Sequence, residues 1–290
     1  MGTAKPSVRT ALAFSNSSGR LADIDPAGRP ALPQKKNGKP TKPSKLSGEL
    51  AETAERIAEL QERLWAEAAE GGQRSLLLIL QGIDTAGKGG TTEHVVGACG
   101  PIGVQYTAFK KPNRAELRHD FLWRIRRQLP PPGTIGIFDR SHYEDVLVAR
   151  VHDLVPEQVW GRRYDEINAF EQELVGSGTT VLKCFLHISS ATQRERLLRR
   201  LDRPDKRWKF DESDIDERAL WADYQTAFQA MLERCDTPAA PWFVVPSDAK
   251  KYRNWAVGEL LRETLDLLDP HYPAGNLDIA NLRARLNPPS

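Results

Sequence analysis

One stretch of the sequence carries the residue types that bind phosphate. Residues 76–80 are an apolar run, Gly82 and Gly87 follow in a turn, and Lys88 opens a segment with helical character. The spacing Gly82-x-x-x-x-Gly87-Lys88 is that of a P-loop, whose backbone N–H groups and helix dipole cradle phosphate while the lysine reaches the outer phosphates. We therefore predict a phosphate site here. The simpler alternative is a glycine turn between a strand and a helix.

Two carboxylates near this turn predict a metal site. The residue after the lysine is Gly89, so the hydroxyl that normally helps hold magnesium is missing. Asp84 lies inside the loop, and Asp139 ends a second apolar run, in the position of a carboxylate that holds metal beside phosphate. Mg²⁺ prefers oxygen ligands and keeps several waters, so we expect Asp84 and Asp139 to hold it. A helix N-cap is the alternative role for Asp139, and the two roles can coexist.

Charged residues directly after Asp139 extend this set. Arg140 could neutralise charge that develops on a transferring phosphoryl group, and an ordinary ion pair with an acidic residue is the alternative. Glu144 stands at a predicted helix start, where an acidic side chain is favourable. It could equally accept a hydrogen bond from a nucleotide.

Two basic clusters contrast with an acidic background. After residue 46, Asp and Glu outnumber Lys and Arg by 37 to 32, yet residues 110–127 hold seven basic and two acidic residues, and residues 193–209 hold eight and three. Four arginines of the second cluster share one helical face: Arg196, Arg199, Arg200 and Arg203. Both clusters follow predicted strand ends that converge on the phosphate loop, so we expect them to bind a polyanion rather than to form solvated faces.

The pattern of elements predicts an α/β fold. Five predicted strands alternate with helices: 74–81, 103–109, 134–138, 179–188 and 242–245. The predicted helices begin at Ser47 and continue at 88–99, 114–128, 143–151, 157–175, 190–201, 212–234 and 250–268. This alternation predicts a parallel sheet covered on both faces, with ligands at the carboxyl ends of the strands. We expect one domain, residues 47–290.

The remaining composition sets the expected surroundings. Residues 1–46 hold nine Lys/Arg and two Asp/Glu, with many prolines, and predict a basic arm that is solvated or wraps the domain. The acidic bulk argues against a nucleic-acid partner. No apolar run approaches a membrane span, and Cys99, Cys184 and Cys235 have neither metal nor disulfide spacing. We expect a cytoplasmic protein with no membrane partner.

Five motifs in the right order resemble the family-2 polyphosphate kinases. The motifs are Gly82-Ile-Asp-Thr-Ala-Gly-Lys-Gly-Gly90, Phe109-Lys-Lys-Pro112, His119-Asp-Phe-Leu-Trp-Arg124, Phe138-Asp-Arg-Ser-His-Tyr-Glu-Asp-Val-Leu-Val148 and Arg200-Leu-Asp-x-Pro-x-Lys-x-Trp-Lys-Phe210. The resemblance covers residues from about 47 to 270. It implies a three-layer P-loop kinase fold with a central five-stranded parallel sheet and a helical lid at about 190–235.

The resemblance also implies an activity. It is reversible, Mg²⁺-dependent phosphoryl transfer between inorganic polyphosphate and a nucleoside mono- or diphosphate, converting AMP or ADP to ADP or ATP. The run Tyr143–Val148 looks like the subgroup that accepts both monophosphates and diphosphates. We also expect a homo-oligomer.

The resemblance assigns roles to particular residues. The catalytic centre would be Asp84, Lys88, Asp139 and Arg140, with Asp84 and Asp139 as metal ligands. The residues expected to contact nucleotide or polyphosphate are Gly82, Ala86, Gly87, Gly89, Gly90, Thr91, Lys110, Arg124, Glu144, Arg200, Arg203, Lys206 and Lys209.

Three other functions stay open from the sequence. An ATP-dependent nucleoside monophosphate kinase shares the loop, the Asp-Arg-Ser strand end and a basic lid. A nucleotide switch would need a guanine-reading motif such as Asn-Lys-x-Asp, which the sequence lacks. A polyphosphate-binding scaffold without turnover is the third, and Asp84, Lys88 and Asp139 together argue against it.

Overall fold

A five-stranded parallel sheet lies at the centre of the computed structural model, which describes residues 7–32, 43–97, 99–275 and 277–287. Its strands are β1 Ser75–Gln81, β2 Val104–Ala108, β3 Ile135–Asp139, β4 Thr179–His187 and β5 Trp242–Pro246. They are ordered β2-β3-β1-β4-β5, and every pair is parallel. The prediction of a five-stranded parallel sheet is confirmed.

The central strand β1 leads into the phosphate loop. All seven of its residues are buried, as expected for a Leu/Ile-rich strand that is covered on both faces. Leu80 pairs with Asp139 of β3, and Gln81 pairs with Phe185 of β4. The loop after β1 therefore opens between the carboxyl ends of its two neighbours, where parallel sheets bind ligands.

Helices cover both faces of the sheet. They are α1 Val8–Leu12, α2 Leu46–Ala69, α3 Lys88–Val95, α4 Trp123–Arg126, α5 Glu144–Val151, α6 Glu157–Gly176, α7 Ser190–Asp202, α8 Ser213–Ala219, α9 Trp221–Cys235, α10 Lys250–Leu268 and α11 Ile279–Leu286. One layer joins α10 to α1, α2 and α3, and the other joins α5, α6 and α9. The predicted lid, residues 190–235, comprises α7, α8 and α9. Of these, α7 contacts the loop that follows β1, whereas α9 packs against α5 and α6.

Two predicted helices differ from the structure. The helix expected at 114–128 is reduced to a 3₁₀ turn, Glu116–Arg118, and the single turn of α4. Between them the side chain of Asp120 accepts from the N–H of Leu122, and such local side-chain bonds compete with continuous helix. The helix expected at 212–234 is divided into α8 and α9 at Leu220, and α11 was not predicted.

The N-terminal segment is part of the core. Val8, Leu12, Phe14 and Leu21 are buried in the same cluster as the sheet, and Glu263 of α10 accepts hydrogen bonds from the N–H groups at the start of α1. The prediction of a solvated leader is therefore wrong for residues 7–32. The wrapping alternative fits them, because apolar side chains recur in this stretch. The Lys- and Pro-rich stretch 33–42 lies outside the described residues.

Two further observations concern the helices and the cysteines. Within residues 7–32, 43–97, 99–275 and 277–287, no helix is long and apolar enough to cross a membrane. All three cysteines are free thiols, and Cys184 and Cys235 are buried. Cys184 is a small core residue on β4.

Candidate active site

The phosphate loop is built on unusual backbone angles. Gly82 and Gly87 have φ values of 154° and 107°, and Thr85, which is β-branched, has φ of 67°. A Cβ on Gly87 would lie 1.8 Å from Nη1 of Arg253, so only glycine fits there. Lys88 is buried, and its Nζ donates to the carbonyl of Gly82 at 2.8 Å. These backbone angles shape the loop into a turn around the side chain of Lys88.

Two buried arginines hold the phosphate loop through hydrogen bonds to its carbonyls. The Arg196 guanidinium donates to the carbonyls of Thr85 and Ala86 and, from the other amine, to Ser247 and Asp248. Arg253 donates to the same Ala86 carbonyl at 3.0 Å. Arg196 was predicted to lie on a polyanion-binding face. This is corrected: its donors are used on backbone carbonyls, because α7 lies directly against the loop.

The two predicted catalytic charges next to the loop are paired. Arg140 Nη2 donates to Asp84 Oδ1 at 2.6 Å, and both side chains are about one-third exposed. Burial alone would raise the pKa of Asp84, but the charges of Lys88 and Arg140 lower it below the ordinary value. Burial likewise opposes the charge of Arg140, whereas Asp84, Glu144 and Asp139 raise its pKa. Asp84 is thus an anion and Arg140 a cation at neutral pH.

Backbone and sheet both orient Asp139 and Arg140. Asp139 is the last residue of β3, and Tyr106 on the neighbouring edge strand β2 donates from its hydroxyl to Asp139 Oδ2 at 3.1 Å. Burial, the charge of Asp139 and this hydrogen bond raise the pKa of Tyr106 to about 12, so the hydroxyl stays a donor. Arg140 has φ of 63°, a left-handed angle that is rare for a non-glycine residue and clusters at functional sites.

A fully buried ionic cluster lies under the Asp139–Arg140 turn. Lys183 Nζ donates to Glu171 Oε2 at 2.6 Å and to the hydroxyl of Tyr143 at 2.8 Å. His142 contacts the same Glu171 carboxylate at 3.2 Å, and burial lowers the pKa of His142. A charge removed from such a cluster leaves its partner buried and unpaired, which is costly. The cluster therefore fixes the start of α5, from which the turn is held.

A large basic cavity opens above the loop. Its volume is about 1030 Å³, and its lining includes twelve Lys/Arg residues and three Asp/Glu residues. The basic residues are Lys88, Lys110, Arg140, Arg196, Arg199, Arg200, Arg203, Lys206, Lys209, Lys250, Lys251 and Arg253. Such an excess of one charge in a concave site attracts a highly charged anion. We call this the basic cavity.

A second cavity of about 610 Å³ adjoins the first. Its lining holds four Lys/Arg and four Asp/Glu residues, together with aromatic and aliphatic side chains such as Tyr224, Phe228 and Leu147. Asp145 on its wall pairs with Arg163, and burial raises the pKa of Asp145 to about 6. Balanced charge with apolar surface suits a nucleoside better than a polyanion. We call this the mixed cavity.

The two cavities share one wall. Four residues line both: Asp84, Phe109, Lys110 and Arg140. Arg124 holds this wall from behind, because its Nη1 donates to the carbonyl of Lys110 at 2.7 Å. The Asp84–Arg140 pair is therefore part of the wall that both cavities share.

Most of the predicted site residues line one cavity or both. Those in the basic cavity are Asp84, Gly87, Lys88, Gly89, Gly90, Lys110, Asp139, Arg140, Arg200, Arg203, Lys206 and Lys209. Those in the mixed cavity are Gly82, Asp84, Lys110, Arg124, Arg140 and Glu144. Glu144 is also held by the side-chain amide of Gln81. The structure thus brings together residues from five separate motifs.

Two predicted contact residues, Ala86 and Thr91, line neither cavity, and their contact with a ligand stays a prediction. The N–H of Ala86 donates to the carbonyl of Ile83, and the carbonyl of Ala86 accepts hydrogen bonds from Arg196 and Arg253. Thr91 is fully buried, and its hydroxyl donates to the carbonyl of Gly87 at 3.1 Å. Thr91 lies one helical turn beyond the loop glycines, so its side chain turns back onto the helix rather than toward a ligand.

Two lid arginines have acidic partners in this conformation. Arg200 pairs with Asp214 at 3.2 Å, and Arg203 pairs with Asp205 at 2.8 Å. Trp208 is 77% exposed, with Lys209 over its ring, so it does not pin the lid to the core. These pairs are partly exposed and therefore weak, and phosphate oxygens could replace the carboxylates.

Several residues of the site were missed from the sequence. Lys250, Lys251 and Arg253 line the basic cavity from α10, and Tyr106 reaches Asp139 from β2. The only available signal for α10 was a pair of lysines at a predicted helix start, where cations are unfavourable. Nothing in the local sequence of Tyr106 indicated its role, because it depends on the pairing of β2 with β3.

The donor set fits a divalent metal that takes oxygen ligands. Asp84 and Asp139 both line the basic cavity. Among the described residues no group of three His, Cys, Asp or Glu side chains could hold a metal. A cation here would therefore have two carboxylates and would complete its shell with water and phosphate oxygens, as Mg²⁺ does.

Comparison with known proteins gives a consistent match. The family model described as polyphosphate kinase 2 (PPK2) matches residues 42–272. An AMP/ADP-polyphosphate phosphotransferase from Meiothermus ruber is 48% identical over 224 residues, 77% of this chain and 82% of that protein. An ADP-polyphosphate phosphotransferase from Rhodopseudomonas palustris is 41% identical, over 76% of this chain and 78% of that protein. The crystal structure of polyphosphate kinase 2 from Arthrobacter aurescens superposes with a TM-score of 0.91 at 45% identity, covering 97% of both chains.

Proposed function

Because this chain belongs to the polyphosphate kinase 2 family, we propose that it transfers a phosphoryl group between inorganic polyphosphate and an adenine nucleotide. AMP and ADP are the acceptors, ADP and ATP the products, and the reaction is reversible. The M. ruber relative, named for both acceptors, supports this pair. So does the Tyr143–Val148 run.

One observation carries the assignment of substrates to sites. The basic cavity and the mixed cavity meet at Asp84, Lys110 and Arg140. Polyphosphate matches the charge of the first, and a nucleotide matches the mixed polar and apolar lining of the second. A donor and an acceptor bound in this way would place their reacting phosphates at the shared wall.

The reaction is in-line transfer. The bond from the terminal phosphorus to the polyphosphate bridging oxygen breaks as a bond to the nucleotide phosphate oxygen forms. Since little covalent chemistry is needed, positioning and charge neutralisation dominate. Lys88, Arg140 and the loop N–H groups stabilise charge on the transferring group. The lid arginines exchange Asp205 and Asp214 for phosphate oxygens and exclude water.

We propose Mg²⁺ as the metal, held by Asp84 and Asp139. When bound, it neutralises phosphate charge and orients the donor and acceptor oxygens. The Asp84 carboxylate is ionised and can be shared between Arg140 and the metal. Tyr106 keeps one oxygen of Asp139 in place and leaves the other available.

The test is an assay of every donor and acceptor pair. Purified protein with Mg²⁺ is incubated with polyphosphate or ATP as donor and with AMP or ADP as acceptor, and nucleotides are separated by chromatography. We expect ADP and ATP to form from AMP and polyphosphate. Turnover with ATP alone as donor would instead identify a nucleoside monophosphate kinase, and binding of polyphosphate without turnover would identify a scaffold. The expected homo-oligomer stays a prediction, which light scattering can check.

A further inference from the structure

Tyr106 lies on the edge strand β2 and reaches the carboxylate at the end of the neighbouring strand β3. In the sheet Ala108 of β2 pairs with Asp139, and Tyr106 lies two residues earlier on the same face of the strand. From there its hydroxyl donates a hydrogen bond to Asp139 Oδ2 at 3.1 Å. The side chain is 49% exposed and lines neither cavity. Tyr106 therefore contacts the proposed metal site through Asp139 and does not itself line the space for substrates.

Each of the two proposed metal-binding carboxylates has one oxygen held by a donor from the protein. Arg140 Nη2 donates to Asp84 Oδ1 at 2.6 Å, and Tyr106 donates to Asp139 Oδ2. Among the residues that the structure describes, no group donates a hydrogen bond to Asp84 Oδ2 or to Asp139 Oδ1. One oxygen of each carboxylate is therefore left for a cation.

The two common divalent cations differ in how they use a carboxylate. Mg²⁺ is small, requires octahedral geometry, keeps several waters and is bound by one or two carboxylates. Ca²⁺ takes about six to eight oxygen ligands, and these can include both oxygens of one carboxylate. For Asp139 to bind a cation through both oxygens, Oδ2 would have to give up its hydrogen bond from Tyr106. This hydrogen bond therefore disfavours the larger cation.

We infer that Tyr106 is a positioning residue that makes the metal site select Mg²⁺ over Ca²⁺ by keeping Asp139 Oδ2 occupied. The inference rests on the proposed function, which supplies the metal and its two carboxylates. Arg140 holds Asp84 in the same way, but Arg140 is also proposed to contact the transferring group. Tyr106 acts through Asp139, so its hydroxyl can be removed without removing a group that contacts substrate.

The experiment measures the binding of both cations to Tyr106→Phe and to the wild type, without nucleotide or polyphosphate. Mn²⁺ is bound first, Mg²⁺ or Ca²⁺ displaces it, and electron paramagnetic resonance follows the free Mn²⁺. Asp139→Asn gives the background from other sites. The readout is the Kd for Ca²⁺ divided by the Kd for Mg²⁺. A change in the basicity of the carboxylate acts on both cations in the same direction and largely cancels in this ratio.

We expect the ratio to fall about tenfold in Tyr106→Phe. This is the lower end of the roughly 10–100-fold effect of removing a residue that orients a metal ligand, because the Tyr106 side chain is half-exposed. Inhibition by Ca²⁺ of the reaction supported by Mg²⁺ gives a second readout. The Ca²⁺ concentration that halves the rate at fixed, saturating Mg²⁺ should fall by the same factor.

Tyr272→Phe is the matched control. Tyr272 is 53% exposed, its hydroxyl hydrogen-bonds the carboxylate of Glu62, and it lines neither cavity. The variant removes the same hydroxyl from a tyrosine–carboxylate pair outside the site. Both readouts should therefore keep their wild-type values.

Three results would overturn the inference. The first is an unchanged ratio in Tyr106→Phe, and the second is an equal fall in Tyr272→Phe. The third is equal Mn²⁺ binding by the wild type and Asp139→Asn, since Asp139 would then not hold a cation. Failure of the proposed function is seen separately, because the wild type would then bind the cations but transfer no phosphoryl group from polyphosphate.

Discussion

At the scale of single residues, the arginines of this site have two different roles. Arg196 and Arg253 are buried and use their donors on carbonyls of the loop, which fixes backbone geometry. Burial and the neighbouring Arg196 lower the pKa of Arg253 to about 9. Arg140 is half-buried and pairs with Asp84 at the shared wall. The planar, multi-donor guanidinium suits both tasks, and a lysine could replace neither.

The catalytic assignment is tested by two substitutions. We expect Asp139→Asn and Lys88→Ala each to lower kcat at least about a hundredfold, since each removes a charge aimed at the transferring group or its metal. Initial rates with saturating polyphosphate and AMP measure the effect, and circular dichroism checks that the fold survives.

Asp223→Asn is the matched control for the carboxylate. Asp223 is exposed on α9 and lines neither cavity, so its variant should keep the wild-type rate. A wild-type rate in Asp139→Asn or Lys88→Ala would remove that residue from the mechanism.

At the scale of elements, the loop is shaped by three neighbours at once. The loop begins at the carboxyl end of β1. Arg196 of α7 donates hydrogen bonds to carbonyls of the loop, and Arg253 of α10 packs against Gly87. Gly87 is the position where these constraints meet, because it combines a left-handed φ with close contact. Gly89 lies in the first turn of α3 and has neither a left-handed φ nor a close contact at its Cβ position.

This difference predicts opposite effects of two alanines. Gly87→Ala should lower the free energy of unfolding by about 1–3 kcal/mol, from a strained φ and displacement of Arg253. Gly89→Ala should leave stability equal or slightly higher, because alanine is favoured over glycine inside a helix. Urea unfolding of both variants measures this. Equal losses in the two would contradict the proposed packing of α10 against the loop.

At the scale of the whole molecule, the N-terminal segment completes the layer over α10. Its apolar residues belong to one continuous core with the sheet, and Ala13 forms a bridge with Phe243 of β5. The segment therefore stabilises the helix whose first turn lines the basic cavity. It acts at a distance from the reacting groups.

Leu12→Ala tests whether this segment is part of the cooperative unit. Leu12 is 4% exposed, so the truncation should lower the free energy of unfolding by about 3 kcal/mol, from lost burial and a residual cavity. Leu267→Ala is the control, because Leu267 is 73% exposed and should change stability by less than about 0.5 kcal/mol. An unchanged unfolding transition in Leu12→Ala would show that the segment is not held against α10.

Features that are local in the chain could be predicted from the sequence alone. The apolar run, the glycine spacing and Lys88 predicted the phosphate loop, because a tight turn between strand and helix needs those residue types at those places. The alternation of apolar strands and helices predicted the five-stranded parallel sheet. The same alternation brought Asp84, Lys110 and Asp139 to one edge, since parallel strands end together.

The partners of the charged side chains and the extent of the site depend on the tertiary fold. Arg196 and Arg200 look alike in the sequence and both line the basic cavity, but Arg196 donates to loop carbonyls whereas Arg200 pairs with Asp214. Lys250, Lys251 and Tyr106 join the site through packing of α10 and pairing of β2. Such contacts between residues far apart in the chain leave no local pattern. What the loop residues predicted as a single phosphate site is, in the folded protein, the wall between two cavities.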